Sequence, residues 1–115
     1  MAKYFNTTLG SSMLPDGMIE IVTIAEDVAA NYLLDPEVVN AANPSHANTL
    51  DAMSRRLGVD VRSAKGGRVS LEAGDSCLIV EIGNIPRETR EFTDEEVAKA
   101  TLMFRLVAVY GQGMK

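Results

Sequence analysis

The sequence predicts an α/β protein: one mixed, mostly parallel β-sheet of about five strands flanked by helices, forming a single domain over residues 1–115. Three observations lead there. Segments of β-type patterning are interleaved with segments of helical periodicity, an arrangement that favours helices packed on a sheet. Two Thr-x-x-Glu spacings, Thr23 to Glu26 and Thr93 to Glu96, have the form of capping boxes that start helices. Residues 76–82 are almost continuously apolar, as expected of a central strand covered on both faces. A chain of 115 residues with 46% apolar content is long enough to build one core without cross-links.

Taken in order, residues 3–9 are rich in aromatic and β-branched types and read as a strand that ends at Gly10, Ser11 and Ser12. Pro15, Asp16 and Gly17 supply a turn, and residues 17–23 alternate Ile19 and Ile21 with polar neighbours as a second strand. Thr23 then opens a helix that carries Val28, Tyr32 and Leu33 to about Leu34. Pro36 lacks an amide and restricts Asp35, so the helix breaks there, with a short helical piece expected at Glu37, Val38 and Val39. Asn43, Pro44 and Ser45 resemble a helix start. Leu50, Met53 and Leu57 then form an apolar stripe, and Gly58 is the expected C-terminal cap. This places His46 in the first turn of the second main helix. A short strand is expected at 68–71, a turn at Gly74 and Asp75, the buried strand at 76–82 with its exit at Gly83 and Asn84, a helix from Thr93 to about Ala100, and a last strand at 102–110.

The net charge of −5 is unevenly distributed. Residues 1–54 hold one base, Lys3, against seven acids, whereas residues 55–90 hold seven bases against five acids. An acidic whole argues against sequence-blind binding of long nucleic acids, which depends on phosphate neutralisation, but leaves room for a compact anion in one basic pocket. An ordinary solvated face explains the same arginines equally well. The single cysteine, Cys77, sits in the apolar run and reads as a core residue. No apolar run reaches the roughly 18 residues of a membrane span and no secretion signal precedes the first strand, so a cytoplasmic protein without membrane contact is expected.

His46 is the only histidine. Histidine is the side chain whose ordinary pKa gives both protonation states near neutral pH, which suits proton transfer, although a lone histidine is more often structural. One histidine, one cysteine and scattered carboxylates do not make a zinc spacing, and Lys65, Gly66, Gly67 and Arg68 form neither a P-loop nor a dinucleotide fingerprint. Neither a metal nor a cofactor is therefore expected. The Ser11–Ser12 pair lacks the surroundings of a nucleophile elbow.

Four segments together resemble the viral and phage anti-CRISPR ring nucleases, a family of small proteins that includes archaeal-virus members. They are the opening strand and loop Asn6-Thr-Thr-Leu-Gly-Ser-Ser-Met-Leu14, the helix Ser45-His-Ala-Asn-Thr-Leu-Asp-Ala-Met-Ser-Arg-Arg-Leu-Gly58, the strand Gly67-Arg-Val-Ser-Leu71 with the later Gly83-Asn-Ile-Pro-Arg-Glu-Thr-Arg-Glu-Phe-Thr93, and the terminal Phe104-Arg-Leu-Val-Ala-Val-Tyr110. The resemblance implies a homodimer that degrades cyclic tetra-adenylate, the alarm signal of type III CRISPR defence. It implies His46 and Glu88 as catalytic residues. It also implies substrate contacts from Leu9, Gly10, Ser11, Ser12, Asn48, Arg68, Gly83, Asn84 and Arg87. Two departures stand out: Ile85 occupies the place of a frequent arginine, for which Arg87 is the substitute, and Ser12 replaces an asparagine of some relatives.

Such a reaction needs no protein nucleophile, because the ribose 2′-hydroxyl attacks the adjacent phosphorus. A protonated His46 would supply the leaving oxygen's proton, and Glu88 with Arg68 or Arg87 would balance charge around it. A two-fold dimer suits a ligand that itself has rotational symmetry. The alternatives are a binding protein that sequesters a cyclic nucleotide without cutting it, and a dimeric viral regulator that contacts protein or DNA.

Overall fold

The computed structural model describes residues 2–7, 9–10, 13–62, 66, 69–83 and 92–111. Its elements, in order, are β1 (Lys3–Asn6), β2 (Met18–Ile24), α1 (Glu26–Leu33), β3 (Val38–Asn40), a 3-10 turn (Pro44–His46), α2 (Ala47–Leu57), β4 (Ser76–Gly83), α3 (Asp94–Lys99) and β5 (Thr101–Gly111). The five strands form one sheet in the order β2-β5-β4-β1-β3. The α/β class holds, but the sheet is not mostly parallel. β1 runs parallel to β3 and to β4, whereas β5 is antiparallel to both β4 and β2. The cause is α3: it packs Val97 with Ala52 of α2 and Phe92 instead of carrying the chain back along the sheet. β5 therefore starts where β4 ends, with Gly83 opposite Thr101, and returns alongside it.

β4 is the central strand, and Cys77, Leu78, Ile79 and Val80 are all buried. On one face Leu78 and Val80 join Phe5 and Phe104 beneath Ala29 of α1 and Leu50 and Met53 of α2. On the other, Cys77 and Ile79 join Val107 and Val109 beneath Met13, Val69 and Leu71. Helices cover one face and irregular segments the other.

Several local expectations give way to longer-range pairing. The first strand stops at Asn6, three residues early, because the Asn6 Oδ1 accepts from the Thr7 amide at 2.7 Å and draws the backbone out of the ladder. Thr23 caps nothing: it pairs with Arg105 in the β2–β5 ladder, and α1 starts after Ala25 without a side-chain cap. Val28 is half exposed, and Ala29, Tyr32 and Leu33 supply the packed face of α1. The expected helical piece at Glu37 to Val39 is instead β3, whose β-branched Val38 and Val39 stand opposite Lys3 and Tyr4. Residues 69–71 form no strand. Val69 and Leu71 still bury their side chains, and the Leu71 amide donates to the Met13 carbonyl at 2.9 Å.

Other signals act where the sequence puts them. Thr93 and Glu96 form the capping box of α3 in full, with the Thr93 hydroxyl accepting from the Glu96 amide and the Glu96 carboxylate accepting from the Thr93 amide. Gly58 ends α2 in the left-handed region at φ 70°. Buried Ser54 ties α2 to the following segment: its hydroxyl donates to the Leu50 carbonyl and accepts from the Val61 amide, both at 2.9 Å.

The turn before β4 is fastened by Asp75, nine-tenths buried, whose carboxylate accepts from the amides of Ala2 (2.8 Å) and Glu72 (2.9 Å). Burial alone would push the Asp75 carboxyl up, but the two amide donors outweigh it and hold it below the ordinary value. A carboxyl depressed in the folded state contributes stability above its unfolded pKa and loses it as pH falls through the folded one.

Two predictions follow from this packing. Ser54→Ala leaves the Val61 N–H buried without a partner and is expected to lower unfolding free energy by about 1–3 kcal/mol in a denaturant titration. Asp75→Asn is expected to flatten the loss of stability below about pH 4, measured as the denaturation midpoint against pH, because the ionisation that links folding to protons there has been removed.

Candidate active site

Because β1, β3 and β4 are mutually parallel, their carboxyl ends point the same way, the end of an α/β sheet at which ligand crevices form. The residue after β1 is Thr7. β3 leads through Asn40 and Ala41 to the turn that carries His46, and the Ala41 amide extends the β1–β3 ladder by donating to the Phe5 carbonyl at 2.8 Å. The two chain ends meet there: Thr7 Oγ1 lies 2.9 Å from His46 Nδ1, across 39 residues of sequence.

Each half of this pair is set by an asparagine. Asn6 holds the Thr7 amide, and Asn43 caps the 3-10 turn by accepting from the Ser45 amide at 2.9 Å while its carbonyl accepts from the His46 amide. His46 stands at the junction of that turn with α2, half-buried, rather than inside the first α-helical turn. Pro44 is braced from outside. Gly66 has φ +69°, and a Cβ there would come within 2.9 Å of Pro44 Cδ, so only glycine allows this approach without a shift. Gly66 thus packs against the turn that presents the histidine.

Of the other residues the sequence proposed, Leu9 and Gly10 lie two and three positions beyond Thr7, Leu9 being exposed. Their loop is tacked down where the Gly10 carbonyl accepts from the Met13 amide at 3.0 Å and Met13 is buried. Asn48 is half-buried at the start of α2, just past His46. Gly83 lies at the exposed end of β4, four residues beyond Ile79, the position opposite Asn6. A Cβ on Gly83 would meet only Thr101, at ordinary contact distances of 3.9 and 4.0 Å, so local packing does not demand glycine there. Glu88, Ser11, Ser12, Arg68, Asn84 and Arg87 lie outside the described residues. Thr7 is the partner that sequence reasoning missed: inside an expected strand over 3–9, nothing marked it as the residue that turns out to meet the histidine.

Three arginines of the basic segment are structural. Arg55 pairs with Asp51 and Asp94 and donates to the Phe92 carbonyl. Arg56 pairs with Glu26 and donates to the carbonyls of Val97, Ala98 and Ala100, a cation at the carboxyl end of α3. Arg62 pairs with Asp51 and Asp60, and hydrogen bonding from Arg62, with the nearby Arg55 charge, holds the Asp51 carboxyl below its ordinary value. A cleft of about 620 Å³ between α1 and α2 is lined in part by Glu26, Asp27 and Arg56. None of the candidate residues lines it, and its Arg56 is already committed to Glu26 and α3, so the strand ends around His46 are the better candidate despite the cleft's size.

Among the described residues, no three His, Cys, Asp or Glu side chains converge as a metal site, and no helix is long and apolar enough to cross a membrane. Cys77 is fully buried, and burial pushes its thiol up to about 12.

These features define a class: an α/β protein with a single five-stranded mixed sheet and a histidine at the carboxyl ends of its parallel strands. Within the solved structures, the fold is that of B116 of Sulfolobus turreted icosahedral virus, with a TM-score of 0.74 and 20% sequence identity over 94% of this chain and 99% of that one. No protein-family model and no curated protein sequence matches the chain.

The Cys77 surroundings yield a direct check. In native protein, a thiol reagent at pH 8 is expected to label Cys77 only as fast as the chain opens. Labelling should become rapid in denaturant, as read by mass spectrometry over time.

Proposed function

We propose that this protein is a metal-independent ring nuclease that opens cyclic tetra-adenylate to linear products ending in 2′,3′-cyclic phosphate, and so counters type III CRISPR signalling. The observation that carries this reading is the presentation of His46, the sole histidine, by the carboxyl ends of β1 and β3, with one ring nitrogen engaged by Thr7. Likeness of fold to a viral protein fits the viral setting that the reading implies.

The chemistry proceeds through the substrate's own nucleophile. The ribose 2′-oxygen bonds to the adjacent phosphorus as the bond from phosphorus to the 5′-oxygen breaks, and the 2′-hydroxyl proton leaves to solvent. The departing 5′-oxygen takes a proton from His46, for which Nε2 is available because Nδ1 faces Thr7. In-line placement of the two oxygens about phosphorus is the remaining demand, met by the loop at Leu9 and Gly10 and by Asn48 at the start of α2, with Ser11, Ser12, Gly83 and Asn84 as further contacts. Glu88 supports the imidazolium, and Arg68 and Arg87 offset phosphoryl charge.

The working unit is a homodimer, since two copies of one patch can grip opposite sides of a ring. The edge strand β2 and its neighbour β5 leave apolar side chains uncovered, with Ile21 47% and Met103 40% exposed on the face that also holds Val107. A compact cyclic anion is the partner; no membrane and no long nucleic acid is involved.

The test is incubation with cyclic tetra-adenylate in EDTA, followed by chromatography of the products. Wild type should yield 2′,3′-cyclic phosphate ends, and His46→Ala should cut turnover by about 10²–10⁴-fold while ring binding is retained. Binding without cleavage by wild type would mark a sequestering protein instead, and full activity in His46→Ala would remove the histidine from the reaction.

A further inference from the structure

We infer that Thr7 is the positioning residue of this site: it fixes which nitrogen of His46 faces the substrate. The inference rests on the ring-nuclease reading for its catalytic consequence, but its structural part stands on the 2.9 Å contact between Thr7 Oγ1 and His46 Nδ1 alone.

The hydrogen-bonding capacity of the two groups gives the reason. A hydroxyl carries one donor and two acceptor lone pairs and rotates to suit its neighbour, so Oγ1 can accept from Nδ1–H or donate to a bare Nδ1. In the acid step the imidazolium donates Nδ1–H to Thr7 and presents Nε2–H outward. After Nε2 has given up its proton, the neutral ring keeps Nδ1–H on Thr7. One bond therefore survives both halves of the proton cycle, and the ring need not flip between them. A valine in the same place would offer Nδ1–H no acceptor, and the ring would lose the contact that turns Nδ1 inward.

The contact is also built to be stiff. Thr7 is β-branched and restricted at χ1, and its amide is held by Asn6 Oδ1 at 2.7 Å. His46 is fixed by the Asn43-capped turn on which Gly66 packs. Asn6 is itself nine-tenths buried, so the anchor that holds the Thr7 amide is fixed in the fold.

The sole histidine makes this directly readable. In ¹⁵N-labelled protein without ligand, the two imidazole nitrogens belong to His46 and need no assignment among rivals. Wild type should show Nδ1–H as the dominant neutral tautomer at alkaline pH, and near-isosteric Thr7→Val should shift the ring toward Nε2–H, while Thr7→Ser retains the wild-type pattern. In parallel, Thr7→Val should lower kcat on cyclic tetra-adenylate about 10–100-fold with KM changed less than about threefold, and Thr7→Ser should recover most of the rate. An unchanged ring spectrum in folded Thr7→Val overturns the inference. If that spectrum changes as expected while wild type fails to cut any cyclic oligoadenylate, the positioning contact stands and the ring-nuclease reading falls.

Discussion

The two parallel ladders of β1, one with β3 and one with β4, determine the rest of the molecule. Through them Lys3 lies opposite both Val38 and Ser76, and Phe5 opposite both Asn40 and Leu78. The register is unforgiving, since a slip of one residue would turn the fully buried Phe5 to the opposite face and expel it from the helix-covered core. The same register sets Asn40 opposite Phe5, so that β1 and β3 end within one residue of each other, and that alignment lets Thr7 reach a histidine 39 positions away.

Around this frame, charge serves architecture more than its distribution along the chain suggests. Arg56 occupies the corner where α1, α2 and the end of α3 meet, and satisfies three main-chain carbonyls as well as Glu26. Arg55 ties α2 to Asp94, the first residue of α3. A basic segment in a sequence invites an anion-binding interpretation, yet these side chains spend their donors within the fold. Whether a cation is a structural clamp or a ligand contact depends on which carbonyls and carboxylates lie within reach, and that is a property of helix packing.

The site has a comparable economy. Asparagines act on both of its halves by accepting a backbone amide: Asn6 at the end of β1 holds the amide of Thr7, and Asn43 caps the turn that carries His46. A short polar side chain thereby sets where a catalytic candidate can stand, and its influence is felt one to three residues downstream rather than at its own position.

The sequence by itself determined the elements whose cause is local. Continuous apolar character marked β4, the Thr93–Glu96 box started α3, Gly58 closed α2, and His46 was placed at the head of that helix, because caps, turns and burial on both faces leave their mark within a few residues. Tertiary structure alone decided the remainder. Thr23 has the spacing of a cap but lies in a ladder with Arg105, Val38 and Val39 become a strand because β1 offers them an edge, β5 runs antiparallel because α3 leans on α2, and Thr7 meets His46 because β1 and β3 are neighbours. Each of these depends on a partner far away in the chain, and no local pattern records which distant segment will supply it.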